Sequence, residues 1–417
     1  MMLRLQAAAL FVAGALLAAL PAAAQAPEGP AIPVNSKPGF PSISQVAAAA
    51  SGDFVVVWQH RGVNGQGPDR VLMRRFAANG KPRGREVPVN PSSPAAKQVA
   101  PGVAMAAGGN FIVVWEVGDL IQRSVAFGRC FAASGKALGP AFRLDPGSQT
   151  IEVNPAVAAA PDGSFVATWT SGPNPYGFQN DDILARRFAA DGGPLGPAFK
   201  VVSPAAYFQN DPRVAVSGSG DFLVGWLAYP DSSDGPQTLL LARRFDATGH
   251  PLGEKFLVAS SLDLYNGFDM VTADDGEALF VWRGAVPNAP PTDGGLTQYG
   301  ILGRRFAADG TPVGSLFVIG ETLSGGLYEA PAVAAVPGGG YFVAWSGGDA
   351  FPSLIFGQSL ASDGTPQDAT RQVNNDDSNK GSQPAVTIAP NAQGIVTWTA
   401  FQRRSTEIFV RRLAPVP

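Results

Sequence analysis

The chain is poor in the residues that most site chemistry needs. It holds one cysteine and two histidines in 417 residues, which excludes a CxxC zinc site, a disulfide framework and a histidine-rich metal cage. Charge is also scarce: 15% of residues are charged, against about 25% in an ordinary soluble domain. The formal balance is −3, and no basic run exists that could neutralise a row of phosphates, so no nucleic-acid partner is expected. There is no G-x-S-x-G elbow, P-loop or H-E-x-x-H motif. His60 and His250 lack the Ser or Cys setting of a nucleophilic triad. No cofactor is expected. Metal binding stays open, because Asn180-Asp181-Asp182 and Asn374 to Asp377 are oxygen-rich but lack the alternation and distal Glu of an EF-hand.

Glycine (50) and proline (37) are abundant, and 45% of the chain is hydrophobic. That combination describes a large core threaded by many tight turns rather than disorder. The first segment carries Arg4, an apolar stretch from Ala7 to Leu20 and the small residues Ala22-Ala23-Ala24. This is the layout of a secretory signal peptide, residues 1–24, with the mature chain starting at Gln25. The stretch is short for a bilayer span of about 20 residues, and no later segment is expected to cross a membrane. A secreted or periplasmic location follows as an expectation, consistent with a lone Cys130 that needs no disulfide partner.

The strongest signal is self-similarity. Trp58, Trp115, Trp169, Trp226, Trp282, Trp345 and Trp398 recur at spacings of 53 to 63 residues. Each closes an apolar run, such as DFVVVW from Asp53 or NFIVVW from Asn110. Apolar residues at every position of a strand mean that both of its faces are covered. Upstream lie runs of small and branched residues, such as PAVAAA from Pro155 and RVAVS from Arg213, suited to a crowded place. Downstream comes a third element of the type LARRFAADG, from Leu184, and after a turn a fourth of the type EVPVN, Glu86 to Asn90. Four strands per unit, seven times, predicts a seven-bladed β-propeller. The expected blades are 45–90, 101–145, 155–203, 212–259, 268–320, 331–374 and 384–414, the last completed by 31–35.

The seventh unit stops at its third strand, while Ala31 to Asn35 (AIPVN) matches Glu86 to Asn90 (EVPVN). The N-terminal strand is therefore predicted to join the last blade, pairing with Ile408 to Leu413 and removing a sheet edge that would template aggregation. The alternation of G-x-F-V-V-x-W with R-x-F-x-x-x-G-x-P-x-G-x-x-F-x-V-N resembles a family of bacterial exported repeat proteins, some of which carry haemolysin-type calcium-binding repeats. The resemblance covers the mature chain, implies the propeller and implies no activity. The G-G-x-G-x-D nonapeptides are missing here, so no calcium chemistry comes with it.

In a propeller, the turns between strands one and two and between three and four share one face. Here those turns are short and alike, for example Asp162-Gly163 and Asp309-Gly310, which marks their acids as structural. The Arg-Arg pairs of the third strands are read the same way, one Arg reaching each neighbouring blade. Length variation gathers on the other face, and so do tyrosines and acids. The ligand-binding candidates there are Tyr176, Phe178, Asp181, Asp182, Tyr207, Phe208, Asp211, Tyr229, Asp231, Tyr265, Asp269, Tyr328 and Glu329. FQND occurs twice, at Phe178 to Asp181 and Phe208 to Asp211, both placed in connections between blades three and four. Flat rings beside carboxylates suit a sugar or peptide surface. The expected function is a monomeric, non-catalytic binding module for a glycan or protein, with no catalytic residue assigned. The alternatives are a carboxylate-dependent hydrolase or lyase acting on glycans at the same face, and an envelope scaffold.

Overall fold

The second-strand runs are buried on both sides, as their composition requires. Phe54 to Gln59 and all of Phe165–Gly172 are shielded from solvent. A computed structural model describes residues 27–36, 39–62, 69–90, 97–118, 124–173, 181–202, 208–229, 238–261, 267–287, 289, 297–322, 331–347, 353–374, 380–402 and 405–414. They form seven antiparallel sheets of four strands each, with no helix among the described residues. This is a seven-bladed β-propeller. Blade three shows the pattern: Ile151–Ala159 innermost, then Phe165–Gly172, Asp182–Phe188 and, at the rim, Phe199–Lys200.

The expected closure is present. Pro27–Pro33 pairs antiparallel with Ser405–Leu413, with Ile32 opposite Val410 and Pro33 opposite Phe409. The Val34 N–H then donates to the Ile408 carbonyl at 2.8 Å. The N-terminal segment is thus the rim strand of the seventh blade.

The core is a ring of clusters, each shared by two neighbouring blades. Trp115 packs among Val55, Val57 and Met73 of the preceding blade, and Trp58 meets Ile395, Ile408 and Val410 of the last. All seven tryptophans are among the largest fully buried side chains. The arginine pairs join the same seams. Arg186 Nη1 donates to the Leu144 carbonyl of the preceding blade at 2.9 Å, while its Nε holds Gly196 O of its own blade at 2.8 Å. The Arg187 guanidinium reaches forward to Thr248 O of the next blade at 2.9 Å. Arg411 and Arg412 repeat this at the closure, to Val373 O behind and Asn79 O ahead.

The short-turn face is built by its acids. Asp162 Oδ1 accepts the Ser164 N–H at 2.9 Å and the Ser164 hydroxyl at 2.6 Å, and Gly163 between them takes φ +86°, a conformation that glycine reaches without a Cβ clash. Those bonds from Ser164 hold the Asp162 carboxyl below its ordinary value. Thr311 and Thr365 do the same for Asp309 and Asp363. His250 lies in such a turn, its Nδ1 2.8 Å from Thr248 Oγ1.

Candidate functional site

The innermost strands begin at Phe40, Gln98, Ile151, Phe208 and Gly381 in blades one to four and seven, several residues upstream of the expected blade starts. In these five strands the register slips at one level. The slip in blade four lies between Asn210 and Arg213, and in blade three between Val153 and Ala156. At each slip one non-glycine residue has positive φ: Ile43, Ala100, Asn154, Asp211 and Gln383. A proline follows in four of the five, namely Pro101, Pro155, Pro212 and Pro384. Proline has no N–H for the ladder and settles at such bulges. The bulge re-aims the residues around it, and their ring lines a central cavity of about 560 Å³ at the end of the inner strands nearest the variable face.

Most of this wall is small or apolar: Gly102, Ala156, Ala332 and Ala385 occupy one level of it. Blades four and five put Arg213 and Asp269 there instead, one step along from Asp211. Arg213 Nη1 donates to Asp211 Oδ1 at 2.7 Å, and its guanidinium carbon lies 5.9 Å from the centre of the Phe268 ring. Asp269 Oδ2 accepts the Val333 N–H of blade six at 2.9 Å. Burial raises the Asp269 carboxyl to about 6 against the bond from Val333 and the charge of Arg213, with Asp211 pushing further upward. Burial works against the Arg213 charge, yet Asp211 and Asp269 together raise its pKa above the ordinary value. Asn154 Nδ2 donates to Asn210 Oδ1 at 2.7 Å, linking blades three and four beside this group. Across the cavity, Gln383 Oε1 accepts the Ile43 N–H at 2.9 Å.

The structure therefore corrects the placement of two candidates, Phe208 and Asp211, and puts Asp269 on an inner strand inside the expected fifth blade. Phe208 and Asp211 stand on the innermost strand Phe208–Val216 and not in a connection; Asp269 stands on Phe268–Thr272. Phe208 pairs with Tyr229 across the sheet, their ring centres 5.3 Å apart. Phe208 lies three positions before Asp211, so this half-buried aromatic pair sits about 10 Å along the blade-four sheet from it. Asp181 and Asp182 open the third strand of blade three, apart from the cavity wall. Asp182 pairs with Lys200 at 2.6 Å. Asp181 is fully buried with no hydrogen-bond partner on either carboxylate oxygen, and burial, with the Asp182 charge second, raises it to about 6. Tyr176, Phe178, Tyr207, Asp231, Tyr265, Tyr328 and Glu329 lie outside the described residues, so the first FQND copy is described only at Asp181.

Sequence reasoning passed over Arg213, Asn154, Asn210 and Gln383. The signal was available: a polar residue breaks a run of small ones at a fixed step from the recurrent proline. Among the described residues no group of three or more His, Cys, Asp or Glu could hold a metal ion, and no helix is long and apolar enough to cross a membrane.

No family model matches the chain, and no curated protein matches its sequence. Solved structures do resemble it. A protein of unknown function from Dyadobacter fermentans superposes with a TM-score of 0.50 at 10% identity, covering 93% of this chain and 98% of that one. An ulvan lyase, solved bound to -[GlcA(1-4)Rha3S]-, gives 0.54 at 9% identity over 91% and 95%. A mutant of the NanB sialidase from Streptococcus pneumoniae gives 0.50 at 11% identity over 92% and 70%. At such identities these likenesses establish a shared propeller fold and nothing finer.

Proposed function

We propose that the protein is an exported binding module of the bacterial repeat family it resembles, and that it takes a glycan at the mouth of its central cavity. One observation carries this reading: Asp211, Arg213 and Asp269 converge on a cavity of about 560 Å³ whose remaining wall is largely small and apolar. Ligand sites have this character, a concave surface of about 300–1,000 Å³ with a few placed polar groups. The Phe208 and Tyr229 rings farther along the blade-four sheet add the flat surface on which a sugar ring stacks. The propeller neighbours include an ulvan lyase bound to a saccharide, which makes a glycan the ligand class to test first.

A second reading is carried by the Asp269 carboxyl alone. Raised to about 6 by burial and in part by the charge of Asp211, it stands beside an Asp211 paired with Arg213, and a carboxyl so raised can donate a proton in glycoside cleavage. In this reading the module cleaves what it binds.

The test is a polysaccharide and glycan array probed with residues 25–417. Binding that disappears in Asp211→Asn, with thermal stability retained, supports the cavity as the site. Turnover of the same ligand, lost in Asp269→Asn, moves the assignment to the enzyme. An array without a hit overturns the glycan reading and leaves a protein-binding scaffold.

A further inference from the structure

The charge inside the cavity selects among glycans, and this step rests on the glycan reading above. Among the described residues that line the cavity, three are charged: Asp211, Arg213 and Asp269. The one cation among these described residues is already engaged. Arg213 Nη1 lies 2.7 Å from Asp211 Oδ1, and Asp269 adds a second carboxylate to its electrostatic surroundings. With all three ionised, the wall carries one negative charge more than it neutralises. A uronate, sialate or sulfate entering here meets two carboxylates competing for one guanidinium.

The acids, in contrast, keep acceptor capacity. An ionised carboxylate offers about four lone-pair sites. Arg213 takes up one oxygen of Asp211, and the Val333 N–H engages Asp269 through Oδ2. Asn154 and Gln383 supply neutral donors and acceptors on the same ring. Gly102, Ala156, Ala332 and Ala385 at the equivalent level of blades two, three, six and seven, with Gln45 in blade one, leave room for a ligand to come up against these carboxylates.

We propose that the ligand of this cavity is an amino sugar, a glucosamine-type saccharide whose protonated amine is held by the carboxylates of Asp211 and Asp269. A compact ammonium has three donors to give to these oxygens. Acidic saccharides of the kind present in the ulvan lyase structure are the ones this cavity disfavours.

The experiment is calorimetry on residues 25–417 with three tetrasaccharides at one pH and low salt: glucosamine, N-acetylglucosamine and galacturonate. The expected order is glucosamine tightest, about tenfold over its acetylated form, with galacturonate weakest. In Asp269→Asn the tenfold preference disappears. Equal binding of the first two ligands, or galacturonate tightest on the unmodified protein, overturns the amino-sugar assignment and leaves the glycan reading standing. Binding of none of the three, with a hit elsewhere on the array, has the same effect. No saccharide bound at all overturns both. The ranking on the unmodified protein decides the question whether or not a variant folds.

Discussion

Arg213 Nη1 donates to Asp211 Oδ1 at 2.7 Å across the single residue Pro212. In a regular strand, residues two apart lie on one face but some 6.5 to 7 Å apart. Here the bulge and the positive φ of Asp211 bring the two side chains together at the cavity wall. The pair, the proline and the register slip form one device. Replacing Pro212 with Ala restores a ladder donor and favours a regular strand. Loss of ligand binding with folding preserved is the expected result, checked by calorimetry beside a thermal melt.

Asp181 gives a pH dependence of stability. Its folded pKa of about 6 lies above the unfolded value of about 3.9, so between about pH 4 and 6 the folded state holds more protons than the unfolded one. Stability therefore falls as pH rises through this window and is lowest once the buried carboxylate is charged. Asp269, also raised to about 6, acts in the same direction. Asp181→Asn removes the buried charge and is expected to stabilise the protein at pH 7, by up to about 3 kcal/mol, and to flatten the pH profile. Urea unfolding at pH 4.5 and 7 measures both effects. A variant less stable than the parent at pH 7 contradicts the assignment.

The seams between blades can be tested at Arg186. Its two-pronged contact with Leu144 O and Gly196 O and its place over the Phe188 ring, 5.6 Å from the centroid, need a planar guanidinium. Arg186→Lys keeps the charge and loses the fork, for a destabilisation of about 1–3 kcal/mol. A urea midpoint unchanged from the parent would refute a structural role for the fork.

Close packing across another seam makes Gly320 intolerant of a side chain. A Cβ there would lie 2.5 Å from Trp345 Cζ2 of the next blade. Gly320→Ala is expected to cost about 1–3 kcal/mol through overpacking. The exposed Gly253, whose Cβ would meet nothing within 4 Å, serves as control. Equal melting temperatures for the two alanine variants would remove the argument.

The blades were legible in the sequence because burial on both faces demands apolar residues at every step, and Trp58 to Trp398 mark that demand seven times. Closure was legible because Ile32-Pro33-Val34-Asn35 repeats Val87-Pro88-Val89-Asn90 with one residue changed. The cavity wall was not. A strict two-residue alternation cannot say which residues of Phe208–Val216 face the axis once an extra residue enters the strand. FQNDP also looks like a loop, since Asn, Asp and Pro are turn formers. The recurrent proline of Pro101, Pro155, Pro212 and Pro384 was the readable trace of the bulge, and the polar residues beside it in blade four were the trace of the site.

Val34 shows how closure is secured. It is fully buried in the cluster shared by the last and first blades, its N–H bonds to Ile408 O, and its carbonyl accepts Arg74 Nη1 at 2.7 Å. Val34→Ala is expected to cost about 2 kcal/mol. Deletion of residues 27–35 leaves the outer edge of Ser405–Leu413 unpaired and open to aggregation, which light scattering would detect. A monomeric deletion variant with an unchanged melting temperature would show that the strand is dispensable.

That pairing of the two ends also sets an order of events. Pro27–Pro33 is the first strand of the propeller to be synthesised, and its partner Ser405–Leu413 is the last. Contacts so distant along the chain carry the largest loop-closure entropy and form slowly. During synthesis, six blades can gather in an open arc while the earliest strand waits without a partner. The ring, and with it the enclosed wall to which blades one to seven all contribute, exists only after the final strand arrives. A protein interrupted before that point keeps most of its sheets and has no cavity.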